Sequence, residues 1–206
     1  MTKSEILDDL AYVKTLAEEG KNAPMLGGRI GLWWGVLLCI ALFSHWASLR
    51  GISPLPIEML GLIWLVFGVV GGIGSVILGR TLAGKPGIAS VNNRVAGALW
   101  TGNAVLLFVY SLSALLSAAF GNSDYGIMDT IMPIAFGLYA LTAYVLARIS
   151  NDKWQLIPGS IALAFVPISL LLLGSPNLYL AAMLGVVLTS VIPSIVELRR
   201  EPKEIV

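Results

Sequence analysis

The sequence is poor in charge, cysteine and histidine. Of its 206 residues only 12% are Asp, Glu, Lys or Arg, and it has one cysteine and one histidine. Ordinary globular domains are about a quarter charged, so the low charge excludes a soluble enzyme and a nucleic-acid-binding domain. One cysteine excludes an intramolecular disulfide. One histidine excludes the His-Glu-x-x-His zinc motif and a bis-histidine haem within one chain.

The sequence has instead six long segments without Asp, Glu, Lys or Arg. Each approaches or exceeds the roughly 20 residues that a helix needs to cross a hydrocarbon core of about 30 Å. They are residues 30–49, 59–78, 95–120, 130–147, 156–173 and 178–196. The sequence therefore predicts an all-α membrane protein whose residues 24–198 form a six-transmembrane-helix bundle.

The basic residues predict the orientation of this bundle. Twelve of the 13 lie before the first segment, between the second and third, between the fourth and fifth, or after the sixth, and only Arg50 lies on the other side. Basic loops stay in the cytoplasm. We therefore predict that both termini are cytoplasmic, with residues 199–206 as a cytoplasmic tail, in the inner (plasma) membrane of a bacterium.

Residues 1–23 are predicted to form a short cytoplasmic amphipathic helix. Thr2 and Glu5 have capping-box spacing, and Ile6, Leu10, Val13 and Ala17 fall on one face. The charges of residues 2–19 sum to −3, which disfavours attachment to anionic lipid. Two interpretations remain. The helix packs against the basic loops of the bundle, or it docks a cytoplasmic protein partner or a second copy of the chain.

Small residues and prolines predict how the helices meet. Close backbone approach between membrane helices needs small side chains, and these recur at helical spacing in three segments. They are Gly27, Gly31 and Gly35; Gly68, Gly72, Ser75 and Gly79; and Ala181, Gly185 and Thr189. Among the six segments, only the last three contain proline, at positions 133, 158, 167 and 193. This distribution predicts a straighter, tighter first half and a more deformable second half.

Several uncharged polar side chains come at similar predicted depth in the membrane. Asn103 lies about 12 Å inside its segment at 1.5 Å per residue. The others are Cys39, Tyr139, Thr142 and Thr189. These five are candidates to line a small polar cavity for a neutral solute, or to hold the helices together by interhelical hydrogen bonds, worth roughly 0.6 to 2 kcal/mol each.

A second candidate cluster lies on the predicted outer side. His45 ends the first segment, and Glu58, Asp124 and Asp129 lie in loops of the same side. Such a set is a candidate for pH sensing or weak metal binding. In the alternative interpretation, His45 is an interfacial residue that flanks Trp46, so no metal site is predicted.

The charge-free segments also bear on function. Proton relays and ion-coupled sites place ionisable groups inside the membrane, and these six segments hold no carboxylate, lysine or arginine. We expect no catalytic residue, no cofactor and no nucleic-acid partner. The sequence favours a non-enzymatic regulatory, scaffold or accessory subunit in the lipid bilayer. The alternative is a small transporter or channel for an uncharged or zwitterionic solute.

Overall fold

The computed structural model describes residues 25–85 and 87–201. Within these two ranges the chain is all-helical, and six helical spans are long and apolar enough to cross a membrane. The predicted amphipathic helix, with Ile6, Leu10, Val13 and Ala17, lies outside the described residues, as does most of the predicted tail.

Seven α-helices build the six spans. They are α1 (Gly28–Leu49), α2 (Leu60–Leu82), α3 (Val91–Ala119), α4 (Ile131–Ile149), α5 (Leu156–Leu171), α6 (Asn177–Val186) and α7 (Ile192–Arg200). Short 3₁₀ helices at Ile57–Met59, Tyr125–Thr130 and Lys153–Gln155 precede α2, α4 and α5. A π-helical segment, Val187–Val191, joins α6 to α7 within the sixth span.

The helices extend beyond several of the charge-free segments. Their terminal turns include Arg29, Arg80 and Arg94 as well as Glu197. Long basic side chains at a membrane boundary reach outward to water from their aliphatic stems, so a charged residue does not have to end the helix. The spans are therefore longer than the sequence segments at these ends.

Two of the loops on one face use glycine to stop a helix. Gly51 follows α1 with φ +68°, and Gly121 follows α3 with φ +73°. The left-handed conformation costs glycine little, and it lets the backbone turn back on the last helical carbonyls. Ile52 accordingly donates its N–H to the carbonyl of Ala47, across the end of α1.

The core lies among α1, α4, α5 and α6. Its buried side chains are Leu42, Met132, Phe136, Ala140, Ala162, Phe165, Leu178, Tyr179, Ala182 and Val186. The helix α2 packs on α1, which packs on the sixth span, while α3 packs on α4. The helices α2 and α3 are thus peripheral: 6% and 11% of their most apolar stretches are buried, against 28% to 44% in the other four spans.

The expected tight first half is therefore wrong for α2 and α3. The prolines do not make the second half less tightly packed. Two of the four replace no backbone hydrogen bond of a helix. Pro133 and Pro158 lie in the first turns of α4 and α5, where a helix needs no backbone donor. Pro167 lies inside α5, and Pro193 is the second residue of α7, just after the π-helical segment.

The two ends of the bundle are chemically different. Arg29 of α1 pairs with Glu201, the last described residue, so both ends of the described chain lie on one face, which we call the Arg29 face. The opposite face carries His45 and the loops around residues 51, 121 and 174. We call it the His45 face.

Candidate functional site

The five mid-membrane polar side chains are held by interhelical and local bonds. Asn103 of α3 donates from Nδ2 to Thr142 Oγ1 of α4 at 2.8 Å. Tyr139 of α4 donates its hydroxyl hydrogen to the Thr189 carbonyl oxygen. Thr189 donates its own hydroxyl to the Gly185 carbonyl at 2.8 Å, and Cys39 Sγ lies 3.9 Å from the Met183 carbonyl oxygen. The set thus joins α3 to α4, α4 to the sixth span, and α1 to α6.

Tyr139 compensates for a proline. A helical residue normally bonds its carbonyl to the N–H four residues on, but that residue after Thr189 is Pro193, which has no N–H. The local winding changes to π-helical at this point, and the Tyr139 hydroxyl supplies a donor from α4. The Tyr139 ring in turn contacts Trp100 of α3, with the ring centroids 5.0 Å apart.

Two clefts in the described part of the chain are lined by residues other than these five. The first has a volume of about 280 Å³ between α1 and α2 and is lined by Leu37, Ala41 and Ser44 of α1 and by Ile63, Phe67 and Val70 of α2, among others. The second, of about 300 Å³, lies near Arg29 and Trp33. The mid-membrane residues thus serve as interhelical ties in the described structure.

Replacing Asn103 by leucine tests this arrangement. We expect Asn103→Leu to lower stability by roughly 0.6 to 2 kcal/mol, because the Thr142 hydroxyl loses its partner. Thermal unfolding is measured by the reaction of Cys39, the single thiol of the chain, with a fluorogenic maleimide. Thr142→Val is the matched variant. If the hydrogen bond between the two side chains causes the effect, the variant with both substitutions loses much less stability than the sum of the losses in the two single variants.

The His45 face brings two of the four predicted outer residues into one network. Trp64 of α2 donates from its indole nitrogen to His45 Nδ1 at 2.9 Å. The His45 ring stacks on Tyr179 of α6, with centroids 3.9 Å apart and planes 15° apart. Tyr179 donates its hydroxyl to Asp129 Oδ1 at 2.5 Å, and Asp129 Oδ2 also accepts the Gly174 N–H at 3.2 Å.

The other two predicted outer residues lie outside this network. Glu58 is exposed in the 3₁₀ turn before α2. Asp124 caps the next 3₁₀ turn by accepting the Gly126 N–H at 2.8 Å. Within residues 25–85 and 87–201, no three His, Cys, Asp or Glu side chains are placed to hold a metal ion. The cluster is thus a hydrogen-bonded aromatic network across α1, α2, α6 and the 3₁₀ helix before α4.

The Arg29 face carries a charge network that the sequence did not indicate. Glu201 is bridged by Lys85 at 2.6 Å and by Arg29 at 3.2 Å, and its side chain is only 7% exposed. It ties the start of α1 and the loop after α2 to the end of the sixth span. Beside it, Glu197 accepts from Gln155 Nε2 at 2.7 Å. These partners are remote in sequence, so no spacing rule could have paired them.

The helix α2 has one covered and one uncovered small-residue face. A Cβ on Gly71 would lie 2.3 Å from the Trp34 ring, and one on Gly74 would lie 2.1 Å from Trp33, so these two glycines admit the tryptophans of α1. A second set faces away from the bundle, with no atom within 4 Å of an added Cβ. It comprises Gly61, Gly68, Gly72 and Gly79.

The predicted glycine faces therefore divide into two kinds. Gly31 and Gly35 of α1 lie against Ser194 and Ser190 of the sixth span, and Gly185 lies against Phe136. An added Cβ on Gly68, Gly72 or Gly79 would meet no atom within 4 Å, whereas Ser75 of the same predicted set accepts the indole N–H of Trp34. The spacing of these three glycines, four and seven residues, places them on one side of α2. We call Gly61, Gly68, Gly72 and Gly79, with exposed Leu65, Val69 and Val76 beside them, the free face of α2.

In the part of the chain that the structure describes, the fold is all-helical, with six helical spans that are long and apolar enough to span a membrane. Comparisons of the sequence with protein-family models and with curated proteins, and of the structure with solved structures, find no match. The function must therefore be argued from the residues themselves.

Proposed function

We propose that the protein is a non-enzymatic accessory or scaffold subunit that acts through protein contacts within the membrane. The observation that carries the proposal is the free face of α2. Membrane helices associate through small residues that let backbones approach, and Gly68 and Gly72 have the spacing of the small-xxx-small motif. A transmembrane helix of another chain, either a second copy or a different protein, is the occupant that this face fits.

The polar side chains of the spans support the same function. A solute pathway needs polar groups that face the solute, and the five mid-membrane candidates are instead engaged with neighbouring helices or, for the Thr189 hydroxyl, with the same span. The free face, by contrast, has no partner within the described chain. The free face of α2 is therefore available for contact with another chain, and an accessory role accounts for it better than transport does.

Substitution of Gly72 tests this function. We expect Gly72→Leu to leave folding intact, since an added Cβ meets nothing within 4 Å, and to abolish association because leucine blocks backbone approach. Association is measured by co-purification from crosslinked membranes and by the oligomeric state of the purified chain. The matched control is Gly137→Leu on α4, where an added Cβ is likewise free. If both variants retain their partners equally, the proposal is wrong.

We further propose that the Arg29 face is cytoplasmic, that both termini lie on that side, and that the membrane is a bacterial inner membrane. The 12 to 1 distribution of basic residues supports this orientation. The test is labelling of a single cysteine, Ser53→Cys with Cys39→Ala, in intact cells by a membrane-impermeant maleimide. We expect labelling without lysis. A matched cysteine, Ala89→Cys in the loop before α3, should react only after lysis, and the reverse pattern would refute the orientation.

A further inference from the structure

The hydrogen bond between Trp64 and His45 fixes the protonation state of the imidazole. An indole N–H is only a donor, so His45 Nδ1 must carry a lone pair. Only neutral imidazole with its hydrogen on Nε2 satisfies this geometry. A proton added to Nδ1 would bring two donors face to face and break the bond.

One charged group acts on His45 and would attract the protonated imidazole away from Trp64. Asp129, before α4, is the charged group that acts on His45, and Tyr179 of α6 is the titratable group stacked on it. From α2 the neutral Trp64 faces it. Arg50 and Glu58 are exposed on neighbouring turns, while the charged residues of α7, Glu197, Arg199 and Arg200, end on the Arg29 face. A protonated His45 is therefore attracted to Asp129 and loses Trp64.

The same bond is one of two indole ties between α1 and α2. The other runs from Trp34 Nε1 of α1 to Ser75 Oγ of α2 at 2.7 Å, where Gly71 admits the Trp34 ring. Ser75 lies 11 residues beyond Trp64, or about 16 Å at 1.5 Å per residue. The first cleft, lined by Ala41, Ser44 and Phe67 among others, lies between α1 and α2 toward the His45 face.

We propose that His45 and Trp64 form an acid-sensitive latch: protonation of His45 releases the His45-face end of α2 from α1, and α2 pivots at the Trp34–Ser75 bond. The cleft between the two helices then widens. The helix α2 is peripheral and little buried, and it contacts the rest of the described chain mainly through α1, so the contacts that oppose this movement are mainly those between α1 and α2. The proposal does not depend on what the free face of α2 binds.

The first measurement is ¹⁹F NMR of the full chain containing 5-fluorotryptophan. The sample is titrated from about pH 7.5 to about pH 3, well below the pKa of about 6.5 of a free imidazole. Trp64→Phe assigns the Trp64 resonance. We expect that resonance to shift with a one-proton transition, while the Trp34 resonance stays constant. A Trp64 resonance that is independent of pH would overturn the proposal.

Two variants identify the group that titrates. In His45→Gln, the glutamine side chain can still accept the hydrogen bond from Trp64, but it cannot be protonated. The pH transition of the Trp64 resonance should therefore disappear. Asp129→Asn keeps an acceptor for Tyr179 and removes the charge, so the transition should move to lower pH because the imidazolium loses its counter-charge. If the transition in folded His45→Gln is the same as in the wild type, His45 is not the switch.

The second measurement follows the helix itself. Nitroxide labels at Ile57→Cys and Tyr125→Cys, in a Cys39→Ala background, report the distance from the start of α2 to the turn before α4 by pulsed electron resonance. Both sites are exposed on the His45 face. We expect the distance distribution to change over the pH range of the Trp64 transition, and not in His45→Gln. An unchanged distribution during a Trp64 transition would show that the bond breaks without releasing α2.

Discussion

Gly71→Leu is expected to destabilise the bundle by at least about 1 to 3 kcal/mol, the usual cost of overpacking a filled interior. A Cβ at this position would already lie 2.3 Å from two atoms of the Trp34 ring. The ring cannot simply move, because its indole nitrogen is bonded to Ser75 of the same helix as Gly71 and it meets Phe67 edge to face at 5.2 Å between centroids. Thermal unfolding followed by Cys39 reactivity measures the loss.

Gly72→Leu is the matched control for this prediction. The two residues are neighbours on α2 and receive the same side chain, so helix propensity changes equally. Only the face differs, because an added Cβ at Gly72 meets nothing within 4 Å. Gly71→Leu should therefore lose stability and Gly72→Leu should not. Equal losses in the two variants would contradict the packing of α2 on α1 described above.

Tyr139→Phe has the second large expected effect, about 1 to 3 kcal/mol of stability, because it leaves the buried Thr189 carbonyl without its donor. The phenyl ring keeps the volume of the side chain and its contact with Trp100, so the loss reports the hydroxyl alone. The measurement is again thermal unfolding of the purified chain.

Pro193→Ala provides the control for Tyr139→Phe. Alanine restores a backbone N–H four residues after Thr189, so the carbonyl can be satisfied within its own helix. We expect Tyr139→Phe to cost much less in the Pro193→Ala background than in the wild type. The same cost in both backgrounds would show that Tyr139 does not compensate for the proline.

The number and approximate position of the six spans could be predicted from the sequence. Length and lack of charge are sufficient for that, because a helix in lipid satisfies its own backbone bonds whatever its neighbours are. The exact ends were less predictable, since Arg29, Arg80 and Arg94 extend from helical turns at the boundary. Which helices are central was not predictable, because α2 and α3 are as apolar as α5 and yet are peripheral.

The candidate sites show the same limit. Sequence spacing gives the depth of a side chain along its helix, but it does not show whether that face of the helix packs against a neighbouring helix or points away from the bundle. Asn103 and Thr142 were expected at one depth and do meet. Gly31 with Gly35 and Gly68 with Gly72 have identical spacing, yet the first pair faces the sixth span and the second faces outward. Likewise, the connection from His45 through Tyr179 to Asp129 depends on tertiary packing between residues far apart in sequence.

The most direct test of an accessory role is site-specific photo-crosslinking in native membranes. A photoreactive residue replaces Val69 on the free face of α2, and a matched one replaces Leu163 on α5, both of which are 52% exposed. We expect a discrete protein adduct from position 69, with a second copy or one defined partner, and lipid adducts or none from position 163. Lipid adducts alone from both positions, or the same protein adducts from both, would contradict the accessory role.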